Sequence, residues 1–249
     1  MVKPEWPSLP SARSRMWKIA RIELGRNWIG LIITSFILIY MAMMATFQTD
    51  LATNERRFNL DNFMHDVAYI ASLSTLGFSM SREYLDYWRS RPFTRRLAVM
   101  RTLPIEAKEL VAGKYAATCR NLIVNCFVFF GAQYLLAGPI SEKLRGWDYL
   151  VFVAFWMGII IFITAGFLYL EMGLAEKMYL KMNMTIGFLL FVSCSLVNFL
   201  SGTGIVDYTV ELIITYGVIA SLLSLIASFS LAAFITKRTV RKLEERDVA

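Results

Sequence analysis

Histidine occurs once, as His65, and cysteine three times in a chain of 249 residues. A single histidine rules out a two-histidine metal site within one chain. Cys119 and Cys126 stand seven apart on one helical stretch, about 10 Å along its axis, too far for a disulfide. Cys194 belongs to another stretch, and no group of these residues has metal-ligand spacing. All three read as small apolar groups in helix packing. The phosphate-binding pattern G-x-x-x-x-G-K-[ST] is missing, so the chain has no nucleotide cradle of the usual kind. Proline is sparse: Pro4, Pro7 and Pro10 mark a flexible lead-in with Ser8 and Ser11, while Pro92 and Pro104 divide one long loop.

The most telling shortage is of charge. Hydrophobic residues make up 57% of the chain and the mean hydropathy is +0.51, against roughly 45–50% apolar residues in soluble domains. Long uncharged stretches alternate with charged ones, and a helix needs roughly 20 apolar residues to cross about 30 Å of hydrocarbon. The expectation is an all-α polytopic membrane protein with spans at about 28–47, 62–81, 119–139, 149–170, 182–204 and 211–236. The second span is the weakest, because only the residues between Asp66 and Arg82 are uncharged, so the helix must extend outward through Asn62 and His65 or tilt little and let Arg82 snorkel. His65 and Asp66 are placed at its outer mouth as a solvated interfacial pair, although ionisable groups at membrane depth tend to be functional.

Lys and Arg fix the orientation. They cluster before the first span, from Arg82 to Arg120, at Lys177 and Lys181, and from Lys237 to Arg246; the alternate loops hold only Arg56, Arg57, Lys143 and Arg145. The positive-inside bias therefore places both termini in the cytoplasm of a multi-pass cell-membrane protein. The net charge of +7 reflects these flanks, which meet anionic headgroups of membrane lipids, and calls for no nucleic acid. Residues 1–27 are polar and basic with no apolar core of a signal peptide, residues 28–236 form the six-span domain, and 237–249 form a basic tail.

Two cytoplasmic segments have a pattern of their own. From Met16, a 100° repeat gathers Met16, Trp17, Ile19, Ala20 and Leu24 on one arc, with Arg15, Lys18, Arg21 and Arg26 mostly opposite, as in a helix lying in the membrane interface. The loop 82–117 is far longer than packed helices require. After Pro104, which suits a first turn, Glu106 complements the helix dipole. Gly113 allows a bend, so a short helix from Pro104 to Ala112 is expected, able to transmit a push from a soluble partner.

The six spans, the basic amphipathic N-terminal helix, and the stretch with Arg101, Leu103, Pro104, Ile105, Lys108 and Glu109 resemble the type-2 class of ATP-binding cassette (ABC) exporter permeases. The likeness covers the whole chain in topology, and its local motif lies between Tyr87 and Lys114. It implies that Arg101, Leu103, Pro104, Ile105, Glu106, Lys108 and Glu109 serve a coupling helix between spans two and three. That helix would dock on a separate ATPase subunit carrying ATP and Mg. It further implies that Met16, Trp17, Lys18, Arg21 and Arg26 belong to a connecting helix, and that a second permease copy or a related permease completes the transporter. The chain itself would hold no cofactor and no catalytic residue.

Polar residues at helical spacing suggest a pathway: Ser72, Thr75 and Ser79 on span two, Ser195, Asn198 and Gly202 on span five, with Asn125 on span three. The competing reading is hydrogen bonding between or within helices. Ala220, Ser224, Ser228 and Ala232 form a small-residue ridge for close packing. Glu171 is expected as a charged terminus of the fourth span near the cytoplasm, paired in a gating reading with Lys177 or Arg82. A secondary transporter or channel is the alternative, expected to show charges within spans or broken helices. Neither is evident in the sequence. Ser201 reads as a turn residue, not a nucleophile. An apolar or amphipathic cargo, such as a lipid, peptide or antimicrobial, fits the weakly polar span faces.

Overall fold

The computed structural model describes residues 16–21, 28–46, 60–77, 106–136, 140, 143–144, 146–174 and 176–245. Among these there is no strand; after a helical turn at 16–21 come α1 (Trp28–Thr46), α2 (Leu60–Thr75), α3 (Ala107–Leu135), α4 (Trp147–Gly173), α5 (Glu176–Ser201) and α6 (Ile205–Glu245). Successive helices run antiparallel. One end of the bundle carries exposed Lys18, Arg21, Lys108, Lys177, Arg241 and Lys242 and is called the basic end below. A helix is the economical solution for these sequences because, away from water, every backbone amide must be satisfied within its own segment. Hydroxyls follow suit: Thr34 donates to the Gly30 carbonyl at 2.8 Å, Ser74 to Ile70 at 2.9 Å, and Ser230 to Ile226 at 2.8 Å.

Five helices, all but α2, are long and apolar enough to cross a membrane. Their outward faces leave large side chains uncovered, with Phe127 83% and Leu135 84% exposed and Phe188, Leu200, Leu223 and Phe234 also open. Apolar surface on this scale requires lipid or protein as its surroundings. The 16 residues of α2 extend about 24 Å, short of a full crossing, and its expected continuation to residue 81 lies outside the described residues. It nevertheless occupies the bundle's interior. Tyr69 is fully buried, its ring 5.6 Å from Phe129 of α3 and 5.2 Å from Trp156 of α4, both edge-on.

α4 and α6 share the longest interface. Ser221 donates to the Val151 carbonyl at 2.7 Å and Ser224 to Phe155 at 2.9 Å. A Cβ on Gly158 would collide with Ser224, so the expected small-residue ridge on α6 meets a glycine that lets the backbones touch. Asn125 closes the other side, donating from Nδ2 to the Leu76 carbonyl at 2.9 Å and satisfying an acceptor at the α2 terminus.

Three elements differ from expectation. α3 runs unbroken from Ala107 to Leu135, so the separate helix ending at Ala112 and the bend at Gly113 do not form. Gly113 is a packing glycine: a Cβ there would lie 2.8 Å from Cγ2 of Ile19. The basic tail is not a separate segment, since α6 remains helical to Glu245. Conversely α6, expected to be continuous, is interrupted at Gly217, whose φ of 49° and ψ of −125° suit only a residue without Cβ. A glycine among apolar neighbours gives no warning of which role it plays.

Candidate functional site

The basic end gathers four segments that are far apart in sequence. Ile19, Leu110, Val111, Met172 and Leu243 form a small buried cluster, joined by Ala107, Tyr115 and Val240. It ties the N-terminal turn to the first turns of α3, the last turn of α4 and the end of α6. Thr239 and Leu243 are buried at that end of α6. Beside the cluster, Lys114 Nζ pairs with Glu171 Oε1 at 2.8 Å, and the Glu171 side chain is only 5% exposed. Glu171 is thus held by Lys114, not by Lys177, which is exposed; Arg82 lies outside the described residues. Removing Lys114 alone would strand a buried carboxylate, at a cost of about 3–5 kcal/mol.

The residues assigned to coupling divide within this junction. Glu106 is the extended N-cap residue of α3, and it and Lys108 are exposed, while Glu109 is buried. Leu110 and Val111 face the cluster; helical phase turns Lys108 away from them, while Glu106 is exposed as the N-cap residue that precedes the first helical turn. Arg101, Leu103, Pro104 and Ile105 lie outside the described residues, as does Arg26. In the N-terminal turn, Ile19 and Ala20 are buried against protein, whereas Trp17 is exposed together with Lys18 and Arg21. The expected apolar arc is therefore narrower, because Gly113 of α3 receives it.

Between α1, α2, α4 and α5 lies a cavity of about 580 Å³ with an almost wholly apolar lining. Thr75 lines it; Ser72 is buried and donates to the Ala68 carbonyl at 2.6 Å. Asn125 serves the α2–α3 contact, Asn198 is fully buried, and Ser195 borders a second space of about 280 Å³. Ser79 lies outside the described residues. The structure thus places Thr75 on the larger cavity and Ser195 on the smaller one, and leaves Ser72, Asn125 and Asn198 buried in packing. Sequence reasoning missed Asn183 and Gly187, which line the larger cavity. Their signal was present: Tyr179, Asn183, Gly187 and Phe191 repeat every four residues along one face of α5.

At the opposite end His65 and Asp66 are buried, not solvated. Asp66 accepts hydrogen bonds from the backbone N–H of Ile205 at 2.6 Å and of Val206 at 3.0 Å. A carboxylate from α2 thereby caps the first turn of α6, where amides lack helical partners and the dipole favours negative charge. Gly204 allows the approach, since a Cβ there would stand 3.0 Å from Asp66 Oδ1. Lys143 lies 3.6 Å from Asp207 on the same turn. The link between α5 and α6 is a short turn that begins after Ser201, the last residue of α5 and not itself in the turn: Gly202 has φ of 69° and its N–H bonds to the Asn198 carbonyl at 2.9 Å. Cys119, Cys126 and Cys194 are all free thiols.

Compared with protein-family models, curated proteins and solved structures, the chain matches none.

Proposed function

We propose that this chain is the membrane subunit of an ATP-driven exporter of the type-2 ABC kind. In this reading α2 continues into a sixth crossing, both termini are cytoplasmic, and the basic end faces a separate ATPase subunit. A second copy or a related permease completes the pathway across the cell membrane, and the cargo is apolar or amphipathic. The observation that carries the reading is the unbroken α3. Its first turn, clamped by residues 16–21 and by the ends of α4 and α6, passes directly into a spanning helix. A push on Glu106 and Lys108 therefore reaches the membrane interior without a hinge to absorb it. Nucleotide chemistry then belongs wholly to the partner, and this chain contributes leverage.

A secondary transporter or channel remains the second reading, and two observations favour it: the buried Asp66 and the break at Gly217 inside α6. Both are features expected of ion-coupled carriers. Co-purification with the ATPases of its own cell separates the two. The exporter reading expects nucleotide-dependent capture that is lost in the exposed double variant Glu106→Lys/Lys108→Glu, with unaltered thermal unfolding of the membrane subunit. Flux driven by a proton or sodium gradient through the chain alone would replace it with the second reading.

A further inference from the structure

The cavity beside α5 has a direction. Tyr179 and Cys194, both on its wall, are separated by about 22 Å along the helix at 1.5 Å per residue. That is about half of a 40–45 Å bilayer including headgroups, the depth of one leaflet. The polar lining collects toward the basic end, where Thr75, Tyr179 and Asn183 stand; toward the middle the wall is Ile70, Phe191 and Cys194.

The hydroxyl donors there are already committed. Thr34, Ser74 and Thr75 donate to carbonyls of their own helices at 2.8, 2.9 and 2.8 Å. Asn183 Oδ1 is different: it is buried with no hydrogen-bond partner among the described residues. An acceptor left this way in a low-dielectric site is a destabilising feature unless something donates to it. Gly187 adds the room, because nothing lies within 4 Å of where its Cβ would be.

From the matched length, the graded polarity and the waiting acceptor we infer that this cavity binds a single-chain membrane amphiphile with a hydroxyl-bearing head. The chain lies along α5, and a head hydroxyl donates to Asn183 Oδ1 when the amide, whose oxygen is covered in the empty cavity, turns toward the space it lines. A cationic head is disfavoured by Lys177 and Lys181, exposed on the same end of α5. The volume of about 580 Å³ is within the range of small-ligand sites. The site deepens the exporter reading by naming a cargo class and rests on that reading for transport, but binding itself requires neither ATP nor a partner.

The test uses the full chain alone in phosphatidylcholine vesicles, with a monoacylglycerol carrying a photoreactive group midway along its chain. Adducts mapped by peptide sequencing should fall on the α2 and α5 walls and be competed by unlabelled monooleoylglycerol. Gly187→Leu, which fills open space, should reduce labelling at least about tenfold, a change of about 1.4 kcal/mol, while Gly131→Leu, equally unobstructed but away from the cavity, should not. Asn183→Leu should weaken competition by about fivefold, the worth of one hydrogen bond. Equal labelling in Gly187→Leu, or adducts spread evenly over outward residues such as Phe188 and Leu223, would overturn the site and leave general lipid contact in its place. Specific labelling without ATP-driven transport would keep the site and remove the exporter; ATP-driven transport without specific labelling would do the reverse.

Discussion

At the residue scale, several buried polar side chains satisfy groups on other segments. Asp66 is the clearest case, since the two amides it receives lie 140 residues away or nearly so. Replacing it by alanine removes a cap and leaves buried donors unpaired, for a loss of about 1–2 kcal/mol. Asn at the same position keeps one acceptor and should lose less. Thermal unfolding in detergent would rank the three, with hydrogen exchange at Ile205 and Val206 rising most in Asp66→Ala. If exchange at those amides is unchanged, Asp66 is not the cap that holds them. Lys114 with Glu171 and Asn125 with the Leu76 carbonyl show the same economy, each polar group being placed where another helix ends or where a charge needs a partner.

At the element scale, glycine decides how closely helices approach. Gly158 admits Ser224, Gly113 admits Ile19, and Gly77 lies against Thr164. Gly158→Val should force α4 and α6 apart, with a destabilisation of about 1–3 kcal/mol from overpacking and loss of the Ser224 bond to Phe155. The mirror variant Ser224→Ala should be milder, because a smaller group still fits; melting curves of the two would check the order. These roles were not legible in the sequence. A glycine reads equally as breaker, hinge or contact point, so Gly113 suggested a bend it does not make and Gly217 concealed one it does.

At the scale of the whole molecule, what the sequence disclosed was whatever depends on composition. Apolar runs announce spanning helices because lipid replaces the protein core as their surroundings, and five of them appear as helices where the charge pattern placed them. The sixth, at α2, was hard to delimit because it is buried by protein and so carries Asp66, Ser72 and Ser74 among its apolar residues. Pairings such as Lys114 with Glu171 were hidden because they join distant segments through tertiary packing alone. Of the candidate site, the exposed Glu106 and Lys108 and the cavity residue Thr75 were legible from spacing, while Asn183 and Gly187 required knowing which face of α5 turns inward.

The direction of the chain in the membrane is testable at this same scale. In a background with Cys119→Ser, a membrane-impermeant maleimide applied to intact cells should modify Lys143→Cys and spare Lys177→Cys, with both reacting after lysis. The reverse pattern would invert the orientation taken from the basic residues.

The interruption at Gly217 separates two stretches of α6 that answer to different neighbours. The leading stretch is moored to α2 through Asp66, and the trailing one to α4 through Ser221 and Ser224 and to the N-terminal turn through Leu243. A kink held between two moorings fixes the angle between the stretches through a single dihedral pair, so a side chain at position 217, which that pair disfavours, would strain both moorings at once.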